Sequence, residues 1–224
     1  MDTALEKNWE VYALKYAVRS DRTRKDSFIF DDHSNDNHTI DYFIWVLKSE
    51  DSIIVVDTGF DYDEAKRRNI PIERSPSEAL KFININSADV TDVIITHLHY
   101  DHAGGLSEFP KANFHLQEDE MAYATGPCMC HETIKKPFTG EHVCQMVRSF
   151  YSGRVVFHNG IGSIQPGVTV HLIGGHSRGL QSVRVKTESG YMCLASDATH
   201  FYENFLTGKP FPIVIDLEDM LNGF

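Results

Sequence analysis

The sequence predicts an α/β fold in which helices cover two packed sheets. Short apolar segments typical of strands occur in both halves of the chain, and segments with helix-start signals lie between them. The 224 residues include 42% hydrophobic and 24% charged residues, which is ordinary globular usage and excludes a disordered or collagen-like chain. A chain of this length buries a large apolar core, so we expect a single domain over residues 1–224.

The predicted first sheet begins with a hairpin. Residues 42–47 form an apolar strand, the polar residues 48–51 form a turn, and residues 52–56 form the returning strand. Further along, Ser75 followed by Pro76 has the pattern of an N-cap and a first helical residue. The hairpin is therefore followed by a helix.

Strands and helices alternate in the next part of the chain, and the second half is predicted to consist mainly of strands. An apolar strand at 92–96 precedes a second strand at 112–116, and the acidic residues 118–120 then begin a helix. The second half of the chain predicts strands at 154–157, 168–173, 181–186 and 191–195 and a final helix at 218–224.

The charge balance argues against two classes of partner. The chain has 21 Lys and Arg against 32 Asp and Glu, a net charge of −11. A protein that follows nucleic-acid phosphates needs clustered positive charge, and so does one that docks on anionic lipids. We therefore expect neither a nucleic-acid partner nor a membrane partner.

The sequence also predicts a cytoplasmic location. The first residues contain no apolar segment of a secretory signal, and the longest apolar runs are too short to cross a bilayer. In that setting the four cysteines are expected to be reduced thiols and not a disulfide framework.

A dense group of metal-ligand side chains follows the strand at 92–96. His97, His99, Asp101 and His102 occupy four of six consecutive positions. On a loop that leaves a strand, the first two can converge on one ion while the other two turn towards a second ion. Imidazole and carboxylate suit Zn²⁺, with cobalt, manganese or iron as alternatives.

Two later residues complete the pattern. His176 follows the apolar strand at 168–173, and Asp197 follows the strand at 191–195. Each alone is typical of a turn or cap. Together with the first group they provide a third histidine for one metal and a carboxylate placed to bridge both ions.

Residues 97–102, together with His176, Asp197 and the sequence Asp-Thr-Gly at 57–59, resemble the metallo-β-lactamase superfamily. Within it, the residues around His176 and Asp197 are similar to the N-acyl homoserine lactonases, namely 175–177, 181–182, 197–198 and 203–205. The resemblance runs from about residue 42 to the end of the chain.

The resemblance implies a four-layer αβ/βα sandwich with two divalent ions, of which zinc is the expected metal. By motif position, His97, His99 and His176 would hold the first ion, Asp101 and His102 the second, and Asp197 would bridge them. Asp57 would orient ligands, a role that affects metal affinity strongly. A simple turn residue after the strand is the other interpretation of Asp57.

The activity implied is opening of the lactone ring of N-acyl homoserine lactones, which destroys quorum-sensing signals. Two metals about 3.5–4 Å apart lower the pKa of bound water, and the resulting hydroxide attacks the ester carbonyl. Asp101 is then a candidate to carry a proton to the leaving alkoxide. The expected partner is a small lactone.

One departure from the lactonase pattern concerns His200. Those enzymes have a tyrosine three residues after the bridging aspartate, where its hydroxyl can hydrogen-bond the substrate carbonyl. This chain has His200 at that position, and an imidazole can donate the same hydrogen bond. His200 is therefore a candidate catalytic residue, with an ordinary loop histidine as the alternative.

A second departure concerns the last superfamily ligand, a histidine beyond a further helix and strand. Only 27 residues follow Asp197, and none after His200 is a histidine, while a strand-helix-strand unit needs about 30 or more. We therefore expect the C-terminal helix and strand to be truncated and the domain to be incomplete there. The second ion would keep Asp101, His102 and Asp197, with weakened affinity and low activity.

Other functions stay open at this point. The same fold and metals serve for another lactone, for a thioester of the glyoxalase II kind, or for a β-lactam. A truncated metal-binding protein without turnover is a further alternative.

Overall fold

The computed structural model describes residues 7–224 and contains two sheets in that range. The first has the spatial order β1 (Glu10–Arg19), β2 (Ile40–Lys48), β3 (Ile53–Val56), β4 (Asp92–Ile94), β5 (Asn113–Gln117) and β6 (Val155–His158). The first three strands are antiparallel, and β3 to β6 are parallel. The second sheet is antiparallel, in the order β10 (Gly190–Leu194), β9 (Gln181–Thr187), β8 (Val168–Leu172) and β7 (Ile161–Gln165).

Helices follow the strands of both halves. They are α1 (Tyr62–Arg68), α2 (Pro76–Lys81), α3 (Glu118–Ala124), α4 (Glu132–Lys135), α5 (Gly140–Tyr151), α6 (Tyr202–Thr207) and α7 (Leu217–Asn222). The predicted start of α2 is confirmed, because the Ser75 hydroxyl accepts a hydrogen bond from the Glu78 amide at 3.2 Å and Pro76 is the first helical residue.

The central strands of the first sheet are buried on both faces, and alternation along these strands explains why. In β3, Val55 packs in a core with the helical residues Leu80 and Met146. Its neighbours Ile54 and Val56 point the other way, into a core shared with the second sheet. Each such buried side chain contributes about 2 kcal/mol. The apolar runs in the sequence therefore reflect two cores, one between sheet and helices and one between the sheets.

The predicted two-sheet α/β sandwich and its hairpin are confirmed, but β1 escaped prediction. A bulge lies between Lys15 and Ala17, so the consecutive residues Tyr16 and Ala17 are both fully buried. This breaks the alternation by which a half-buried strand is identified in a sequence.

One polar side chain joins the two sheets. The Gln181 amide nitrogen Nε2 donates to the carbonyl oxygens of Ile95, at 2.8 Å, and His115, at 3.1 Å. The Gln181 backbone amide donates to the Thr96 carbonyl at 3.0 Å. Gln181 is fully buried, so these bonds fix the start of β9 against the ends of β4 and β5.

Among the helices of residues 7–224, none has both the length and the apolar composition needed to cross a bilayer.

Candidate metal centre

The predicted ligands meet where loops from both sheets come together. The loop after β4 carries His97, His99 and His102, while His176 lies between β8 and β9 and Asp197 follows β10. The backbone before His176 is tightly enclosed. Gly175 has φ +77°, and a Cβ there would lie 2.5 Å from the Met220 amide nitrogen, so only glycine fits against α7.

Three of the predicted ligands form one histidine group. Ring nitrogens of His97, His99 and His176 lie within 4.8 Å of one another, and the His176 Nε2 is 3.0 Å from the His99 Nδ1. All three side chains are buried. The His97 Nε2 is fully enclosed and has no hydrogen-bond partner among residues 7–224. A buried nitrogen without a partner, facing other imidazoles, is the arrangement that a metal ion would satisfy.

Asp197 lies between this group and the remaining histidines. Its Oδ2 is 3.2 Å from the His176 Nε2, 3.5 Å from the His102 Nε2 and 2.9 Å from the His200 Nε2. Asp197 therefore belongs to two further candidate ligand groups, one with His97 and His102 and one with His176 and His200. This shared position is the one that a bridging carboxylate would occupy, and the bridging role stays a prediction.

Asp101 lies at the edge of the cluster. Its Oδ2 is 3.7 Å from the His102 Nε2, and it is not part of any of the three groups. The Asp101 carbonyl accepts a hydrogen bond from the buried Tyr16 hydroxyl at 3.2 Å, which fixes the backbone. The structure thus brings Asp101 to the site but places its carboxylate farther from the other ligand atoms.

Burial and neighbouring charges shift the pKa values of the candidate ligand side chains. Burial, with the neighbouring histidines, holds the pKa values of His97 and His99 well below the usual value, so both imidazoles are neutral and keep a lone pair for a metal. Burial opposes ionisation of Asp197, but His200 and His102 hold its pKa well below the ordinary range. Burial raises the pKa of Asp101, and the Asp197 charge adds to this effect.

Asp57 orients the histidine loop. Its Oδ2 is 2.8 Å from the His102 Nδ1, and its Oδ1 accepts the Thr96 amide hydrogen at 2.7 Å. The His102 Nε2 is left to face Asp101 and Asp197. Asp57 itself has φ +62°, an unusual backbone position for a residue with a side chain. These contacts favour the orienting interpretation of Asp57 over that of a simple turn residue.

A backbone carbonyl fixes the ring of His176. The His176 Nδ1 donates to the Ile213 carbonyl at 2.6 Å, which leaves Nε2 as the atom that faces Asp197 and His99. The segment before α7 therefore takes part in building the site.

Glu120, which the sequence analysis missed, ties the two ligand loops together. Its carboxylate accepts the Leu98 amide at 2.8 Å, the Gly179 amide at 2.9 Å and the Ser177 hydroxyl. Leu98 lies between two of the predicted ligands, and Ser177 follows His176. These contacts join residues 22 to 59 positions apart, so no local pattern in the sequence indicated them.

The His200 side chain is buried beside Asp197, the predicted bridging residue. Its ring stacks on Phe211 with centroids 3.5 Å apart and planes 7° apart, and its Nε2 faces Asp197. Burial lowers the pKa of His200, so the ring is neutral. The fixed position favours a role at the site over that of an ordinary loop histidine.

A cleft of about 1150 Å³ opens over the cluster. Its walls include every predicted ligand except His97, and several apolar side chains, among them Trp45, Ile173, Phe205, Phe211 and Ile213. A cleft of this size with apolar walls and a few polar groups at one place is typical of a site for a small organic molecule.

The donor set fits divalent metal ions. Six residues with nitrogen or oxygen ligand atoms converge, three of them buried, and two are oriented by Asp57 and the Ile213 carbonyl; the six are His97, His99, His102, His176, Asp197 and His200. Neutral imidazoles with carboxylates are the set preferred by zinc and similar ions.

Comparison with known proteins agrees with this geometry. The model of the metallo-beta-lactamase superfamily matches residues 41–222. An N-acyl homoserine lactonase of Bacillus cereus is 27% identical over 183 residues, covering 75% of this chain and 67% of the relative. A hydroxyacylglutathione hydrolase of Saccharophagus degradans is 28% identical over 103 residues, covering 45% of this chain and 32% of the relative.

Among solved structures, a quorum-quenching N-acyl homoserine lactone lactonase superposes with a TM-score of 0.78 at 23% identity, over 100% of this chain and 86% of that one. At this identity the superposition supports the fold. The family match covers most of the chain and includes every predicted ligand. The chain therefore belongs to the metallo-beta-lactamase superfamily.

Proposed function

We propose that the protein is a metal-dependent hydrolase that opens the lactone ring of N-acyl homoserine lactones. The observation that carries the proposal is the convergence of His97, His99, His102, His176 and Asp197 at the base of a cleft with apolar walls. The apolar walls suit an acyl chain, and the lactonase of Bacillus cereus supports the choice of ester.

In this proposal each predicted ligand has the role that its position in the sequence motif implies. His97, His99 and His176 would hold one ion, Asp101 and His102 would hold the second, and Asp197 would bridge them. When bound, two such ions supply an activated water molecule and a Lewis acid for the ester carbonyl. Zinc is the proposed metal because its ligands are imidazoles and carboxylates.

Asp101 and His200 are the proposed catalytic residues. Burial raises the pKa of Asp101, which suits a carboxyl that takes up a proton and passes it to the leaving alkoxide. The His200 ring is fixed against Phe211, and its single N–H faces the Asp197 carboxylate; once Asp197 is engaged by the ions, that N–H can be directed at the substrate carbonyl oxygen.

The test is hydrolysis of N-butanoyl and N-dodecanoyl homoserine lactone in a pH-stat, with metal-loaded and chelator-treated protein. Acid release that depends on lactone, stops with chelator and returns with zinc is the expected result. Cleavage of S-lactoylglutathione without lactone hydrolysis would instead establish a thioesterase. Bound metal without turnover of any of these substrates would contradict the proposal.

A further inference from the structure

An arginine without a carboxylate partner is buried in the cleft. The Arg22 side chain lines the cleft, and the residue is only 8% exposed. Its Nη2 donates to the Asp26 carbonyl, whereas its Nη1 is buried without a hydrogen-bond partner. Within residues 7–224, no carboxylate oxygen is close enough to form an ion pair with it.

The two arginines nearest to Arg22 in the sequence both have carboxylate partners. Arg19 pairs with Asp21 at 2.9 Å, and Arg24 pairs with Asp31 at 2.7 Å and with Glu203. A buried charge is costly unless it is paired and hydrogen-bonded. In a chain of net charge −11, carboxylates are abundant, yet among residues 7–224 none lies within ion-pair distance of Arg22. The partner of this guanidinium is therefore expected to come from outside the chain.

The guanidinium lies close to the candidate metal centre. Its central carbon is 5.5 Å from the centroid of the Phe211 ring, and the same ring stacks on His200 with centroids 3.5 Å apart. His200 in turn contacts Asp197. A molecule held at the metal centre therefore extends past one aromatic ring to reach Arg22.

We infer that Arg22 binds an anionic group of the substrate, a carboxylate or a phosphate, while the ester lies at the metal centre. This inference rests on the proposed function for the ester and adds a second requirement to it. A guanidinium matches the planar, bidentate geometry of a carboxylate or phosphate. The substrate class is thus a lactone whose side chain carries such an anion.

The first experiment measures binding without turnover. Chelator-treated protein is heated with glutarate or with inorganic phosphate, and the shift in Tm is recorded for wild type, Arg22→Met and Arg148→Met. Arg148 is an exposed arginine paired with Glu141, so its variant removes the same charge elsewhere. Glutarate or phosphate is expected to raise the Tm of wild type and Arg148→Met but not of Arg22→Met.

The two probes separate the two kinds of anion. A shift with glutarate alone identifies a carboxylate site, and a shift with phosphate alone identifies a phosphate site. The inference is overturned if neither anion shifts wild type, or if Arg22→Met shifts as much as wild type.

The second experiment compares two substrates of the metal-loaded protein, N-hexanoyl and N-adipoyl homoserine lactone. They have equal chain length, but the second ends in a carboxylate. Wild type and Arg148→Met are expected to favour the adipoyl lactone at least about tenfold in kcat/KM, and Arg22→Met to lose that preference. Equal rates for both lactones in wild type would overturn the inference while leaving the proposed function intact. If neither is hydrolysed, the proposed function fails and the Tm shifts alone decide the inference.

The unliganded Tm distinguishes a binding role from a structural one. Replacing an unpaired buried charge with an apolar side chain is expected to keep or raise the Tm. A clear fall in the Tm of Arg22→Met would mean that the guanidinium serves mainly to hold the Asp26 carbonyl, and would contradict the inference.

Discussion

The Asp57 Oδ2 lies 2.8 Å from the His102 Nδ1, and this contact joins the loops that follow the neighbouring parallel strands β3 and β4. The other Asp57 oxygen accepts the Thr96 amide hydrogen at 2.7 Å, so one carboxylate holds both the ring and the backbone of the histidine loop. The carboxylate also requires His102 to carry its proton on Nδ1, which leaves Nε2 free as a ligand atom.

Replacing Asp57 is expected to weaken metal binding more than folding. In Asp57→Asn the amide no longer fixes the His102 tautomer, so metal affinity should fall by about 10–100-fold. Zinc competition with a chelating dye measures this, and Asp63→Asn, an exposed residue of α1, is the matched control. Equal zinc affinity in the two variants would show that Asp57 is only a turn residue.

Glu120 is expected to stabilise both ligand loops. Glu120→Gln replaces one acceptor oxygen with a donor, so buried N–H or O–H groups of the loops lose their partner at a cost of about 2–3 kcal/mol. Urea unfolding with and without zinc measures the loss, and Asp119→Asn on the exposed side of α3 is the control. An unchanged unfolding midpoint would contradict the assignment.

Two substitutions distinguish whether His200 acts as a hydrogen-bond donor to the substrate or as a metal ligand. If it donates to the substrate carbonyl, His200→Ala should lower kcat about 100-fold with unchanged metal content, and His200→Tyr should recover most of the loss because its hydroxyl also donates. Metal analysis and kinetics of the same samples, with His33→Ala as control, provide the readout. Loss of metal from His200→Ala would show instead that the imidazole is a ligand.

The two metal positions are expected to differ in affinity. Three buried imidazoles already converge for the first ion, and burial lowers the pKa values of two of them, His97 and His99, whereas the Asp101 carboxylate lies outside the ligand groups. Calorimetric titration of chelator-treated protein with zinc should therefore show a tight step followed by a weaker one. Two ions held with equal, high affinity would disprove this.

The acid stability of the protein is expected to depend on Glu64. Burial opposes ionisation of Glu64, but hydrogen bonds from Arg67, Arg68 and Thr139 lower its pKa to about 2. A lowered folded-state pKa adds stability that is complete above the ordinary value of 4.5 and is lost as the pH falls towards 2.

Between pH 6 and pH 2, wild type should therefore lose about 1–2 kcal/mol more unfolding free energy than Glu64→Gln, a value reduced because Arg67 is half exposed. Urea unfolding across this pH range measures the difference. Glu188→Gln, in the turn between β9 and β10, should behave as wild type.

The sequence predicted those features that depend on local pattern. The hairpin of β2 and β3, the N-cap Ser75 and the ligands at strand ends all follow from residue order, because strand ends and helix starts have local signals. The contacts of Glu120 and the isolation of Arg22 could not be predicted. They depend on which residues, distant in the sequence, lie next to a buried charged side chain in the folded protein.

The Gln181 bridge between the sheets has a consequence for how the molecule unfolds. The histidine loop belongs to one sheet, and His176 and Asp197 belong to the other, so the ligand set exists only while the sheets stay docked. The rate of metal release therefore measures how fast the two sheets separate. The rate at which zinc is transferred to a chelator in denaturant reports the separation of the two sheets. A substitution that removes the Gln181 hydrogen bonds should accelerate this transfer under conditions in which each sheet is still folded.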